Sequence, residues 1–131
     1  MHDISPIRVL IVDDALFMRG ALKEYLTRNG FEIVGMAETG YEAIRLYDQV
    51  QPDIVTMDLT MPDMNGLEAL KQIRMKDSKA RIVVISSMGQ DQMIVEAMAA
   101  GACQFMVKPI QELMLAEMLR TVVENSGEHQ R

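Results

Sequence analysis

The sequence predicts a doubly wound α/β fold, in which helices cover both faces of a parallel β-sheet. Short runs rich in β-branched residues alternate with stretches of helical periodicity along the whole of the 131 residues. Runs such as VLIV and IVVI are apolar without interruption, which is typical of strands buried on both faces. Parallel strands need crossover connections, and right-handed crossovers place helices on each side of the sheet. We therefore expect five strands and five helices.

The chain opens with a predicted strand, helix and second strand. The segments IRVLIVD and FEIVGMA, which start at Ile7 and Phe31, have the β-branched and apolar composition of strands. Between them, apolar residues recur with the spacing of one helix face: Met18, Ala21, Leu22, Tyr25 and Leu26. Asn29-Gly30 then supplies residues that commonly end a helix.

The middle of the chain repeats this pattern. The sequence TGYE, from Thr39 to Glu42, has capping-box spacing and predicts the start of the second helix. DIVTMD is the third predicted strand, and the turn-rich LTMPDMNG leads into the third helix. The apolar faces of these two helices are Ala43, Ile44 and Tyr47, and then Leu67, Leu70 and Ile73.

The last third of the chain completes the sheet. RIVVISS and CQFMV predict strands four and five, and DQMIVEAMAAG between them predicts a short helix closed by Gly101. The final helix has an apolar face at helical spacing: Leu115, Met118, Leu119, Val122 and Val123. We expect a single domain over residues 1–131, with a core from about 7 to 125 and a polar tail over 126–131.

Composition and charge exclude several classes of function. The formal net charge of −6 argues against direct nucleic-acid binding, which depends on basic clusters. No apolar run approaches the roughly 20 residues that span a bilayer, and the N-terminus lacks the pattern of a secretory signal. The single cysteine, Cys103, can form no internal disulfide and suits a reducing compartment. We expect a cytoplasmic monomer with neither nucleic acid nor membrane as a direct partner.

Polar side chains end four of the five predicted strands. They are Asp13 and Asp14, Asp58, Ser86 and Ser87, and Lys108. Doubly wound sheets bind ligands at the carboxyl ends of their strands, so these side chains should lie together. Two carboxylates about 4 Å apart repel by roughly 4 kcal/mol at an effective dielectric of 20, and a cation must compensate.

Lys108 and a divalent cation are the two candidates for that positive charge. Mg²⁺ prefers oxygen ligands and is commonly held by one or two carboxylates together with a phosphate group. The cluster contains neither His nor Cys, which disfavours zinc. We therefore expect Asp13 and Asp14 to hold Mg²⁺. Asp58 stands alone on its strand and is the natural nucleophile towards a phosphoryl group.

Four motifs, VDD, PDIVTMDLTMPDMNG, VVISS and GACQFMVKP, occur in an order and spacing that resemble the receiver domain of two-component response regulators. The resemblance extends from about Ile7 to Asn125. It implies a flavodoxin-like (βα)5 fold, with a five-stranded parallel sheet in the order 2-1-3-4-5.

The resemblance also implies a role for each matching residue. Asp58 would be the phosphoacceptor, and Asp14 and Asp58 would bind Mg²⁺ directly. Asp13 would act mainly through water, and the backbone carbonyl of Thr60 would complete the protein ligands. Ser86 and Lys108 would bind the phosphoryl oxygens, and Ser86 and Phe105 would form the switch.

The implied function is a phosphorylation-activated regulator that catalyses only its own phosphorylation and dephosphorylation. A phosphoryl group adds roughly −1.5 to −2 charge, which should draw Ser86 and Lys108 inward and let Phe105 rotate. That movement would reshape the surface of helix four, strand five and helix five for an output protein. DDALFMR and SSMGQDQM resemble chemotaxis receivers, which implies a CheA-type sensor histidine kinase and the flagellar motor switch as partners.

Three alternative functions share parts of this pattern. The sequence is also compatible with a receiver fragment of a larger regulator, such as a chemotaxis methylesterase or a DNA-binding regulator. A haloacid-dehalogenase-like phosphatase uses a strand-end Asp with Mg²⁺, but Thr60 stands where it needs a second Asp. A flavodoxin would share the strand order, yet Asp13 and Asp14 would repel the FMN phosphate.

Overall fold

The computed structural model describes residues 5–62 and 64–129 and confirms the predicted doubly wound fold. Five parallel strands form one sheet: Arg8–Val12 (β1), Glu32–Ala37 (β2), Ile54–Asp58 (β3), Ile82–Ser86 (β4) and Gln104–Val107 (β5). Five helices alternate with them: Leu16–Arg28 (α1), Gly40–Val50 (α2), Gly66–Lys76 (α3), Asp91–Ala99 (α4) and Glu112–His129 (α5). The strand order is β2-β1-β3-β4-β5, as the resemblance implied.

Two hydrophobic clusters cover the sheet, one on each face. Every residue of β3 and β4 is buried, which explains their uninterrupted apolar sequences. One cluster includes Leu10 and Met57 with side chains of α2, α3 and α4. The other includes Ile11 and Ile85 with side chains of α1 and α5. Burial of this apolar surface is the main force that holds the helices on the sheet.

Side-chain caps begin α2 and α3. The hydroxyl of Thr39 accepts a hydrogen bond from the Glu42 amide at 3.1 Å, as the capping-box spacing predicts. The Glu42 carboxylate accepts a hydrogen bond from the Glu38 amide rather than from the Thr39 amide that a capping box would use. The return contact of the capping box therefore falls one residue earlier in the chain. Asn65 caps α3 by accepting from the Glu68 amide at 2.9 Å.

Helix α5 is longer than the sequence predicts. It continues to His129, through much of the stretch expected to be a polar tail, while residues 130 and 131 lie outside the described part. Ser126 and Gly127 are poor helix formers, but they keep the backbone donor that proline would remove. Although α5 has 18 residues, none of the described helices combines the length and apolarity needed to cross a bilayer.

Candidate functional site

The sheet register places the polar strand ends side by side. Asp58 on β3 pairs with Ile85 on β4, so Ser86 follows one residue beyond this pair. Ser86 pairs in turn with Val107 on β5, and Lys108 follows directly. On the other side of β3, the ladder between β1 and β3 ends one residue before Asp13 and Asp58. The sheet therefore presents all four side chains at one edge.

Three carboxylates converge at this edge. One oxygen from each of Asp13, Asp14 and Asp58 lies within 4.8 Å of the other two. Asp13 and Asp58 are buried, and Asp14 is exposed to solvent. Close like charges repel strongly where water screens them poorly, and a donor set made only of oxygens is the set that Mg²⁺ prefers. The cluster therefore fits a hard divalent cation that enters from the solvent side.

Backbone amides and one lysine hold the two buried carboxylates. Asp13 Oδ1 accepts the Ala15 amide at 2.9 Å, and Asp58 Oδ1 accepts the Thr60 amide at 3.1 Å. Lys108 Nζ lies 3.5 Å from Asp13 Oδ2 and 4.0 Å from Asp58 Oδ2. Each buried acid thus has one oxygen bonded to the main chain and the other close to the ammonium.

The carboxyl of Asp58 is costly to keep ionised. The pKa of this carboxyl is raised to about 6, mainly by burial and in part by the nearby charges of Asp13 and Asp14, against the opposing effects of the Thr60 amide and Lys108. A desolvated anion crowded by other acids is stabilised by any positive charge that binds beside it. The site is therefore poised to gain stability when a cation binds.

Ser86 contributes an unsatisfied hydroxyl. Its side chain is fully buried, and its Oγ has no hydrogen-bond partner. Buried hydroxyls are nearly always paired, and an unpaired one costs about 1–3 kcal/mol. Ser87, the other serine predicted at this strand end, is exposed. Ser86 is thus the serine at this edge with a hydrogen bond still to make.

The other two predicted residues lie on the loops and strand that flank the cluster. Thr60 is exposed in the loop after β3, and its Oγ1 accepts a hydrogen bond from Gln90 Nε2. The assignment of its carbonyl as a metal ligand stays a prediction. Phe105 lies on β5, the edge strand, with 41% of its surface exposed. Its ring therefore faces outward in this state.

Sequence reasoning missed two residues at this edge, Arg19 and Gln90. Arg19 Nη1 donates to the carbonyl oxygen of Asp13 at 2.7 Å. Gln90 bridges two loops, because its Oε1 accepts the Ser87 amide while its amide group donates to Thr60. The available signal for Arg19 was its place in the first turn of α1, from which a long side chain points back towards the helix start. Gln90 offers no comparable signal.

The glycine of LTMPDMNG, Gly66, allows α3 to approach the strand end that bears Asp58. A Cβ at Gly66 would lie 2.1 Å from the carbonyl oxygen of Asp58 and 2.8 Å from Leu59 Cα. We expect Gly66→Ala to lower the free energy of unfolding by about 3 kcal/mol, because the main chain at Asp58 would have to move. Urea denaturation would measure the change.

Gly20 is a matched control for this substitution. It lies within α1, and a Cβ there would meet no atom within 4 Å. Gly20→Ala should therefore stabilise the protein by roughly 0.5–1 kcal/mol through helix propensity alone. A Gly66→Ala variant as stable as the wild type would contradict the proposed crowding.

The chain is similar to known proteins in both sequence and fold. The family model of the response regulator receiver domain matches residues 9–120. The chemotaxis protein CheY of Thermotoga maritima is 52% identical, over 88% of this chain and 96% of the relative. CheY of Bacillus subtilis is 53% identical, over 79% and 87%. A solved CheX-CheY-BeF₃-Mg²⁺ complex from Borrelia burgdorferi has a similar fold, with a TM-score of 0.85, 37% identity and 89% of each chain covered.

Proposed function

Because this chain belongs to the response regulator receiver family, as a CheY-like chemotaxis member, we propose that Asp58 takes up a phosphoryl group. One observation carries the proposal: oxygens of three carboxylates lie within 4.8 Å of one another, with the Lys108 ammonium 4.0 Å from Asp58. Asp58 ends the central strand and is buried between the other acids and the lysine. The same edge holds the buried, unpaired Ser86 hydroxyl, and buried hydroxyls are nearly always paired, so a purely structural cluster does not explain it.

The proposed step is a phosphoryl transfer from a phosphohistidine of the sensor kinase. An Asp58 carboxylate oxygen attacks phosphorus, the P–N bond breaks, and its electron pair stays on the imidazole, which leaves as the neutral ring after protonation. The product is an acyl phosphate. Its hydrolysis, in which water attacks phosphorus, releases inorganic phosphate and restores the carboxylate. The Asp58 Oδ2 oxygen, near Lys108, is placed to attack, since Oδ1 is bonded to Thr60.

Asp13, Asp14 and Asp58 would hold the Mg²⁺, with the Thr60 carbonyl as a further ligand. When bound, Mg²⁺ supplies charge neutralisation on the transferring oxygens. Asp13 is already committed to the Ala15 amide and to Lys108, which suits contact with the ion through water. The Borrelia CheY complex, which contains Mg²⁺, supports the same choice of ion here.

Ser86 and Lys108 would receive the new phosphoryl oxygens. The Ser86 hydroxyl has no partner to give up, and Lys108 already lies between two of the acids. Inward movement of Ser86 would leave room for the exposed Phe105 ring to turn towards the interior. A change of this kind would alter the surface formed by α4, β5 and α5, where an output protein would bind.

The partners we propose are a CheA-type sensor histidine kinase and a phosphorylation-dependent output protein such as the flagellar motor switch. The similarity to CheY proteins supports both, and the CheY of the Borrelia complex is bound to CheX. The expected monomeric state and cytoplasmic location stay predictions from the sequence. The expectation that the chain catalyses only its own phosphorylation and dephosphorylation also stays a prediction.

Incubation with Mg²⁺ and acetyl phosphate should add one labile phosphoryl group to the wild type, and the adduct should be absent in Asp58→Asn. Intact-mass spectrometry would detect it. Asp48→Asn, which changes an exposed carboxylate on α2, is the matched control and should still be phosphorylated. A wild type that gains no mass would contradict the proposal, and an adduct that persists in Asp58→Asn would mean that another residue accepts the group.

A further inference from the structure

We propose that Arg19 is a positioning residue for the metal site, which holds the main chain between Asp13 and Asp14. Its Nη1 donates to the carbonyl oxygen of Asp13 at 2.7 Å. That carbonyl belongs to the peptide bond that joins the two acids, so the orientation of the carbonyl sets the position of the Asp14 backbone. The inference rests on the proposed function, because it concerns the same Mg²⁺ site.

The Arg19 side chain is held in place rather than free in solvent. Only 13% of it is exposed, whereas arginine side chains usually extend into water. Its Nη2 lies 3.9 Å from Glu38 Oε2, in the segment that follows β2. The guanidinium thus spans the carboxyl ends of β1 and β2. A planar group fixed at two points restricts orientation more than a single flexible ammonium does.

Arg19 completes the set of contacts around Asp13. The Asp13 amide donates to the Ala37 carbonyl at 3.0 Å, which ties the residue to the end of β2. Its carboxylate is shared between the Ala15 amide and Lys108. The carbonyl is the remaining polar group, and Arg19 binds it. Loss of the guanidinium would free this peptide to rotate and would carry Asp14 away from the other two acids.

Arg19 could instead act only as a positive charge beside the acids, and the two roles predict opposite results. A counter-charge competes with Mg²⁺, so its removal would tighten Mg²⁺ binding. A positioning contact favours Mg²⁺, so its removal would weaken binding. The hydrogen bond to the main chain and the nearby Glu38 carboxylate, which offsets the charge, favour the positioning role.

Calorimetric titration of the full chain with Mg²⁺ alone separates the two roles. We expect Arg19→Ala to weaken Mg²⁺ affinity about tenfold, as loss of a contact behind a metal ligand commonly does. Arg19→Lys should lie between, because an ammonium can reach the carbonyl but cannot bridge both partners. Arg28→Ala is the control: Arg28 also lies on α1, but it pairs with Glu112 at 2.9 Å and should leave Mg²⁺ affinity unchanged.

Phosphorylation by acetyl phosphate gives a second readout. The Mg²⁺ concentration for half-maximal phosphorylation should rise in Arg19→Ala by about the same factor, more than the maximal rate falls. A merely structural role would not produce this split. Urea denaturation in EDTA would confirm that the variants are folded, and Arg19→Lys decides the question if Arg19→Ala does not fold.

Mg²⁺ binding by either folded Arg19 variant that equals or exceeds that of the wild type would overturn the inference. A wild type that binds no Mg²⁺ would instead overturn the proposed function. The two failures are therefore distinguishable in one set of titrations.

Discussion

Replacing Asp14 with alanine should lower Mg²⁺ affinity and the rate of phosphorylation by roughly hundredfold or more, while the protein stays folded. Residues that merely support a metal ligand contribute about 10- to 100-fold to affinity, and a direct ligand should contribute at least as much. Asp14 is exposed, unlike Asp13 and Asp58, so its truncation leaves no cavity in the core. The loss should therefore appear in metal binding rather than in folding.

Calorimetry with Mg²⁺ and mass spectrometry after acetyl phosphate treatment would measure both effects of Asp14→Ala. Asp48→Ala removes an exposed carboxylate from α2 and should change neither. In EDTA, Asp14→Ala should be as stable as the wild type or slightly more so, because one of three mutually repelling acids is gone. Phosphorylation of Asp14→Ala at the wild-type rate would contradict the assignment of Asp14 as a ligand.

The acidic edge was predictable because topology alone brings it together. Asp13, Asp58, Ser86 and Lys108 each follow an apolar run directly, and parallel strands align their carboxyl ends whatever the details of packing. The alternation of strands and helices was predictable because β-branched runs and stretches of helical periodicity follow one another in the sequence. Predictions of this kind need only the local sequence pattern and the rule that right-handed crossovers connect parallel strands.

Contacts that depend on how far a side chain reaches between elements were not predictable. The place of Arg19 in the first turn of α1 directs its side chain towards the helix start, but only the fold shows that it reaches the Asp13 carbonyl. The sequence places Gly66 where a turn-rich stretch meets α3, but the reason that it must be glycine is the proximity of the Asp58 carbonyl. The end of α5 was misplaced because the weak helix propensity of Ser126 and Gly127 does not by itself end a helix when both residues keep the backbone donor that proline would remove.

In the absence of Mg²⁺, Asp58→Asn should raise the free energy of unfolding at pH 8 by about 3 kcal/mol. The pKa of Asp58 rises from its usual 3.8 to about 6 in the folded protein, mainly because the carboxyl is buried. The folded chain therefore holds this proton more tightly than the unfolded chain, and ionisation opposes folding. The cost is absent below pH 3.8, grows between pH 3.8 and 6, and is fully present above that range.

The gain from Asp58→Asn should therefore shrink as the pH falls, because the wild type then recovers the stability that ionisation removes. Urea denaturation in EDTA at pH 8 and at pH 4.5 would test this, with Asp48→Asn, which changes an exposed carboxylate, as the control. Added Mg²⁺ should narrow the difference at pH 8, since the ion stabilises the wild-type carboxylate and has less to bind in the variant. A gain of equal size at both pH values would mean that the effect comes from packing of the amide, not from the charge of Asp58.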